Sequence, residues 1–201
     1  MSTEAIPAEK PKRNYNALFG LTLLALLVLL WVILSVSTSS FASANNISNL
    51  LRQGSMIAIL AVGQTFVIIT GGIDLSVGAV VGFATVIAAM LINAGVPVFL
   101  AVLLTLLVGV AIGLFHGFGI VKMGLPPFII TLATLTSLRG IGLLITNGNS
   151  ISINNDAFQE FSRNSFLGVP NLFWMVILVG IPAYVFLHHS RWGRYLFSVG
   201  S

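Results

Sequence analysis

Long runs of apolar residues, joined by short polar connections, make up most of this chain. Six of them approach the length of ~20 residues that crosses a ~30 Å hydrocarbon core as a helix. The runs do not alternate as membrane β-barrel strands do, and a backbone in lipid otherwise needs helical hydrogen bonds. The pattern predicts an all-α, polytopic transmembrane helical bundle. Its spans are expected at residues 18–36, 53–70, 75–92, 96–121, 125–146 and 171–189.

The second and third runs are separated only by the sequence GGID, at residues 71–74. One straight helix over residues 53–92 would be ~60 Å long, about twice the hydrocarbon thickness. We therefore expect a broken or tightly turned segment at GGID, with a re-entrant helix as the alternative to two crossings.

A second local signal is the pair Pro126 and Pro127. This pair is expected to begin the fifth helix, where missing N–H groups cost least.

Composition supports a membrane protein, since 57% of the 201 residues are hydrophobic and 7% are charged. Soluble domains carry about 25% charged residues. Lys and Arg are enriched in cytoplasmic connections; with the N-terminus inside, six basic residues lie inside, two outside and Arg139 within the fifth span. We expect a cytoplasmic tail at residues 1–17 and a transmembrane permease domain at residues 18–201. Topology accounts for the net charge of +4, so no nucleic-acid partner is expected.

The sequence lacks the motifs of common membrane enzymes. It contains no GxxxxGK[ST] phosphate loop, no HExxH zinc motif and no GxSxG nucleophile elbow. It also has no cysteine, which excludes thiolate metal ligands. We expect no catalytic residue, metal or cofactor in this chain, and an energy source outside it.

One carboxylate, Asp74, falls inside the apolar region, within the stretch TGGIDLSVG at residues 70–78. A charge at bilayer depth costs several kcal/mol unless it is partnered or solvated. Asp74 could cap the third helix by accepting bonds from the N–H groups that follow. It could pair with Arg139, or it could line an aqueous substrate path. The sequence leaves these three alternatives open.

Small and polar residues recur inside the spans. Glycines four residues apart share a helix face and permit close packing; the sequence places them at Gly78, Gly82, Gly109, Gly113 and Gly117. His116 shares the face of the last three and is expected either as a hydrogen-bonded interior histidine or as a substrate contact. Gln64 and Thr65 are polar within the second span and should face protein or water.

Three stretches carry a family resemblance. They are RQGSMIAILAVGQTFVIITGGIDLSVGAVVGF, PPFIITLATLTSLRGIGLLITNG and HHSRWGRYLFSVG. The chain resembles the permease subunits of bacterial ABC importers for monosaccharides, the ribose, xylose, arabinose and galactose group, and most of all those for ribose. The resemblance implies a multi-pass protein of the bacterial inner membrane that pairs with a second permease copy or homologue.

The same resemblance implies a periplasmic sugar-binding protein and a cytoplasmic ABC ATPase as partners, with ATP used by the ATPase. Sugar hydroxyls need polar groups along the pathway. The candidates for the substrate pathway are Asp74, Ser76, Gln64, Thr65, Thr134 and Asn147. The polar connection at residues 147–170 is expected either to dock the binding protein or to be a solvated connector with a short helix around residues 157–161.

Members of this group continue past the position of GRYLFSVGS into a cytoplasmic coupling helix and further spans. The chain is therefore expected to be an N-terminal, C-terminally truncated portion. Two alternatives to an importer subunit remain: an ion-coupled secondary transporter, which would work without an ATPase, and a non-functional, truncated membrane scaffold.

Overall fold

A computed structural model describes residues 15–200, and the side chains from residue 19 onward. Nearly all of these residues are helical. The helices are α1 (Tyr15–Ser37), α2 (Ala44–Ile69), α3 (Val77–Asn93), α4 (Val98–Val121), α5 (Pro127–Thr146), α6 (Asp156–Arg163), α7 (Asn171–His189) and α8 (Arg191–Val199). Strands β1 (Ser165–Phe166) and β2 (Val169–Pro170) form a small antiparallel hairpin.

Five of these helices are long and apolar enough to cross a membrane: α1, α2, α4, α5 and α7. The third predicted span corresponds to α3, which is apolar but has only 17 residues. At 1.5 Å per residue, α3 is about 25 Å long. The all-α architecture and the break at GGID are confirmed, while α3 is shorter than a full crossing helix.

The chain divides into two compact units, which part between Asn49 and Leu50 within α2. In the first unit, α1 exposes leucines on all sides, as a helix surrounded by lipid does. The Ser43 hydroxyl accepts a hydrogen bond from the Asn46 N–H at 3.3 Å and so caps the start of α2. Residues 1–14 of the tail predicted at residues 1–17 lie outside the described residues.

In the second unit, α3, α4 and α5 pack against one another, and α7 packs against α6 and α8. The connections lie at two ends. The break end holds residues 70–76, the α4–α5 turn and α8. The loop end holds the α3–α4 turn and residues 147–170.

Side-chain hydrogen bonds fix the loop end. The Asn93 amide donates to Ser152 O at 2.8 Å and accepts from the Asn154 N–H at 3.0 Å. The Arg52 guanidinium donates to Arg163 O. Residues 147–170 are thus tied to the ends of α2 and α3, and α6 confirms the short helix predicted there.

At the break end, α5 begins at Pro127 with Pro126 as its N-cap, as predicted. The start of α2 was predicted wrongly, because α2 begins nine residues before residue 53. Its first turns, ANNISNLLR, are too polar for lipid. Hydropathy therefore identified the apolar part of the helix and missed the part that extends beyond it.

Candidate translocation site

The break between α2 and α3 is a turn followed by a non-helical segment, residues 72–76. Gly71 adopts a φ of +75°, in the left-handed region that favours glycine. The N–H groups of Gly71 and Gly72 donate to Ile68 O and Val67 O, which closes the end of α2. Non-helical backbone inside a membrane protein needs hydrogen bonds from neighbouring protein groups or from water.

Asp74 provides some of these hydrogen bonds. Its Oδ1 accepts hydrogen bonds from the Ser76 N–H at 2.7 Å and from the Ser76 hydroxyl at 2.6 Å. Ser76 is the N-cap residue of α3 and is fully buried. The capping alternative is therefore modified: Asp74 bonds to the N-cap residue and not to the N–H groups of the first turn. The carboxylate still lies near the positive end of the α3 dipole.

Two helices hold the non-helical segment in place. The Gln64 amide of α2 donates to Asp74 O at 2.9 Å. On α5, the Thr131 hydroxyl accepts from the Leu75 N–H at 3.2 Å and lies 3.3 Å from Ile73 O. Sequence reasoning missed Thr131, because its spacing from the break, 56 residues from Leu75, carries no local signal.

A second bond, between His116 and Thr134, joins α4 to α5. His116 Nε2 and Thr134 Oγ1 are 2.8 Å apart, and both side chains are buried. The Thr134 hydroxyl also donates to Ile130 O at 2.9 Å. Because a hydroxyl has one proton, both bonds are made together only when His116 Nε2 donates to Thr134 Oγ1. His116 is thus hydrogen-bonded inside the bundle, and its role as a substrate contact stays a prediction.

Four of the predicted polar residues meet around one cavity, of about 470 Å³, between α2, α3 and α4. They are Gln64, Asp74, Ser76 and His116. Gln64 Oε1 is buried and has no hydrogen-bond partner within residues 19–200. An unmatched buried acceptor costs free energy unless water or a ligand donates to it. The cavity thus combines aliphatic walls with a few convergent polar groups, as small-molecule sites do.

The other predicted pathway residues lie elsewhere. Thr65 is exposed, and its hydroxyl donates within α2 to Ala61 O at 2.7 Å. Thr134 lines a separate, mostly apolar cavity of about 670 Å³ between α4 and α5. Asn147 ends α5 at the loop end, where it adopts a left-handed conformation with φ of 50°.

Arg139 and Asp74 do not form the ion pair considered as one alternative. In the described chain, Asp74 lines the cavities near the break end. Arg139 lines a third cavity, between α3, α5 and residues 148–151. Different cavities surround the two charges, so each must be stabilised separately.

The glycine stripes do not mark close helix contacts in the described chain. A Cβ built at Gly78, Gly82, Gly109, Gly113 or Gly117 meets no heavy atom of another group within 4 Å. The close approach lies instead at Gly119, where a Cβ would overlap Ile130 Cδ1 across the α4–α5 contact. Four of these glycines, Gly78, Gly82, Gly109 and Gly113, border cavities instead, and a packing role for the stripes stays a prediction.

The described residues contain no group of three or more His, Asp or Glu side chains placed to hold a metal ion. The polar groups of the site are amides, hydroxyls, one imidazole and one carboxylate. Their chemistry suits hydrogen bonding to a neutral, hydroxyl-bearing molecule.

Comparison with known protein families assigns residues 46–201 to one family. Its description is "Branched-chain amino acid transport system / permease component". The chain belongs to this permease family. Together with the five long apolar helices, this makes it a multi-pass membrane protein.

Several similar curated proteins are sugar import permeases. The chain is 39% identical to the ribose import permease of Escherichia coli K12 over 89% of its own length and 57% of the relative. It is 38% identical to the ribose import permease of Bacillus subtilis, over 100% of the chain and 63% of the relative. It is 37% identical to the fructose import permease of Bifidobacterium longum, over 77% of the chain and 48% of the relative.

The chain thus spans roughly half to three fifths of the length of these relatives. No solved structure matches it. The resemblance to monosaccharide permeases, and to those for ribose in particular, is confirmed at the level of family and relatives.

Proposed function

We propose that this chain is the membrane-embedded permease subunit of an ATP-driven importer that moves a monosaccharide across the bacterial inner membrane. The observation that carries the proposal is the identity of 38–39% to ribose import permeases over 89–100% of the chain. The permease family includes amino-acid transport by its description. The sugar assignment therefore rests on the curated relatives.

The geometry of the break supports a transport role. A non-helical segment inside a helical bundle is tolerated where it is held by protein and borders a cavity. Here Gln64 and Thr131 hold residues 73–75, and Asp74 and Gln64 border the same cavity. Discontinuous helices of this kind place backbone and polar groups beside a substrate in transporters.

The expected partners are those that sugar-import permeases of this family imply. A separate cytoplasmic ABC ATPase would supply ATP hydrolysis, and a periplasmic binding protein would deliver the sugar to the loop end. A second permease copy or homologue would complete the pathway. This arrangement requires the N-terminus and the break end to face the cytoplasm. ATP-driven closure would alternate access to a pathway between the two permeases.

The test is sugar uptake into proteoliposomes that contain the permease, its ATPase and its binding protein. We expect ATP-dependent uptake of D-ribose, no uptake when the ATPase is omitted, and no uptake of L-leucine. Uptake of leucine in place of sugar would contradict the substrate class. Sugar uptake driven by an ion gradient without the ATPase would contradict the mechanism and favour a secondary transporter.

A further inference from the structure

The cavity around Arg139 has features that the proposed pathway through Asp74 does not use. It measures about 460 Å³ and lies between α3 and α5, beside residues 148–151 of the loop end. A volume of this size falls within the range of small-molecule pockets. Polar side chains reach it from both helices and from the loop: Thr85, Arg139, Thr146, Asn149 and Ser150.

Arg139 is the unusual member of this group. It lies seven residues before the end of α5, which places its backbone about 10 Å below the loop end. No hydrogen bond or ion pair engages its guanidinium within residues 19–200. A guanidinium has five N–H donors and no acceptor. The Arg139 side chain is exposed in the described chain, and a charged side chain at this depth avoids lipid by facing a water-filled path or a protein partner, which makes it a candidate functional position.

Small residues keep the cavity open opposite Arg139. Gly78 and Gly82 of α3 and Gly142 of α5 border it, and a Cβ at any of them meets no heavy atom of another group within 4 Å. Ala79 and Ala89 extend the same wall. The cavity therefore combines a guanidinium, hydroxyl and amide groups with a smooth apolar wall that includes Phe83.

We propose that this cavity is the entry site for the monosaccharide at the loop end, and that Arg139 donates hydrogen bonds to the sugar hydroxyl oxygens. This inference rests on the proposed function and deepens it. Sugar hydroxyls accept from the guanidinium and bond with Asn149 and Ser150, while the C–H face of the ring packs on the glycine and alanine wall. A lipid acyl chain would leave the Arg139 donors unmatched.

Because the chain contains no cysteine, single cysteines can report on the cavity. The permease carrying Gly82→Cys, assembled with its ATPase and binding protein in nanodiscs, is labelled with a small methanethiosulfonate reagent. We expect saturating D-ribose to slow labelling at least tenfold. The matched control is Gly54→Cys, at an exposed position of α2 that borders neither the Arg139 cavity nor the cavity around Asp74; its labelling rate should not change.

A second variant separates sugar binding from a structural role. Arg139→Met should abolish the protection of Gly82→Cys by D-ribose and leave the labelling rate without sugar unchanged. Arg139→Lys should restore part of the protection. The thermal unfolding temperature should stay the same, because the side chain has no hydrogen-bond partner within residues 19–200. Loss of stability with protection retained would overturn the proposal.

The remaining outcomes separate failure of the proposed entry site from failure of the proposed function. Wild-type uptake of D-ribose without any protection at Gly82→Cys would overturn the entry site and leave the importer assignment intact. Absence of ATP-dependent uptake for every monosaccharide tested would overturn both. Slow labelling in nanodiscs that is equal with and without sugar, and fast in detergent, would assign the cavity to lipid and overturn the entry site.

Discussion

The hydroxyl of Thr131 accepts a hydrogen bond from the backbone N–H of Leu75 at 3.2 Å, and so links α5 to the non-helical segment before α3. Thr131 is buried, and its hydroxyl also lies 2.9 Å from Pro127 O within its own helix. The break between α2 and α3 is therefore positioned by a residue that lies far from it in sequence.

Thr131→Val should destabilise the fold by about 1 kcal/mol, because it leaves the Leu75 N–H without its acceptor at nearly constant volume. Thr136→Val is the matched control on the same helix, since the Thr136 hydroxyl bonds only within α5 and is exposed. Thermal unfolding in detergent measures both. Equal destabilisation by the two variants would contradict a tethering role for Thr131.

Asp74→Ala should destabilise by roughly 2–3 kcal/mol, because the Ser76 N–H and hydroxyl lose a charged acceptor. Asp74→Asn keeps an acceptor at Oδ1 and should retain most of the stability. The comparison of denaturant midpoints separates hydrogen bonding from charge. If transport fails in Asp74→Asn while its midpoint is unchanged, the carboxylate has a role in the pathway besides holding Ser76.

Asn93→Ala should loosen the loop end without unfolding the bundle, because Asn93 binds residues 152 and 154 but is itself exposed. Amide exchange at Asn154 should accelerate at least tenfold, while amides in α4 stay protected. Asn149→Ala is the control, since the Asn149 amide bonds only to the nearby Asn147 O. Unchanged exchange at Asn154 in Asn93→Ala would show that the loop is held by other contacts.

Gly193→Ala tests the turn between α7 and α8. A Cβ at Gly193 would overlap the backbone carbonyl of Leu187, which cannot move as a side-chain tip can. We expect a loss of roughly 1–3 kcal/mol from overpacking. Gly180→Ala within α7 is the control, because a Cβ there meets no heavy atom of another group within 4 Å. Equal unfolding temperatures for both variants would exclude a tight α7–α8 turn.

Hydropathy predicted most helices well, because a helix that crosses the hydrocarbon core must be about 20 residues long and mostly apolar. It gave the bounds of α7 as residues 171–189 and the end of α5 at Thr146, both as observed. It could not find α8, which is short and amphipathic. The sequence feature that could have indicated α8 is its amphipathic pattern. Arg191 and Arg194 are three residues apart, and aromatic residues lie between and after them.

The site was predictable only in part. An isolated carboxylate and an amide in apolar runs point to Asp74 and Gln64, because each must find a partner. Their convergence with His116 depends on how α2, α3 and α4 pack, which a single sequence does not encode locally. The Thr131 hydroxyl forms hydrogen bonds both within α5 and to the break. Nothing in the neighbouring sequence distinguishes it from other helical threonines. The glycine stripes make no close helix contact within the described residues, because a small residue permits a cavity as readily as a close contact.

The bond between His116 and Thr134 provides the last prediction. It joins α4 to α5 at 2.8 Å between two buried side chains. Hydrogen bonds between membrane helices contribute about 0.6 kcal/mol on average and up to about 1.7 kcal/mol. A double-mutant cycle of His116→Phe and Thr134→Val should therefore give a coupling free energy of about 0.6–1.7 kcal/mol.

The control cycle pairs His116→Phe with Thr105→Val, whose hydroxyl bonds only to Ala101 O within α4. Its coupling should vanish to within about 0.3–0.5 kcal/mol, as for independent sites. Unfolding free energies from denaturant titration in one detergent measure both cycles. Equal couplings in the two cycles would mean that the His116 ring stabilises the bundle by packing alone, and that its Nε2 proton is not held by Thr134.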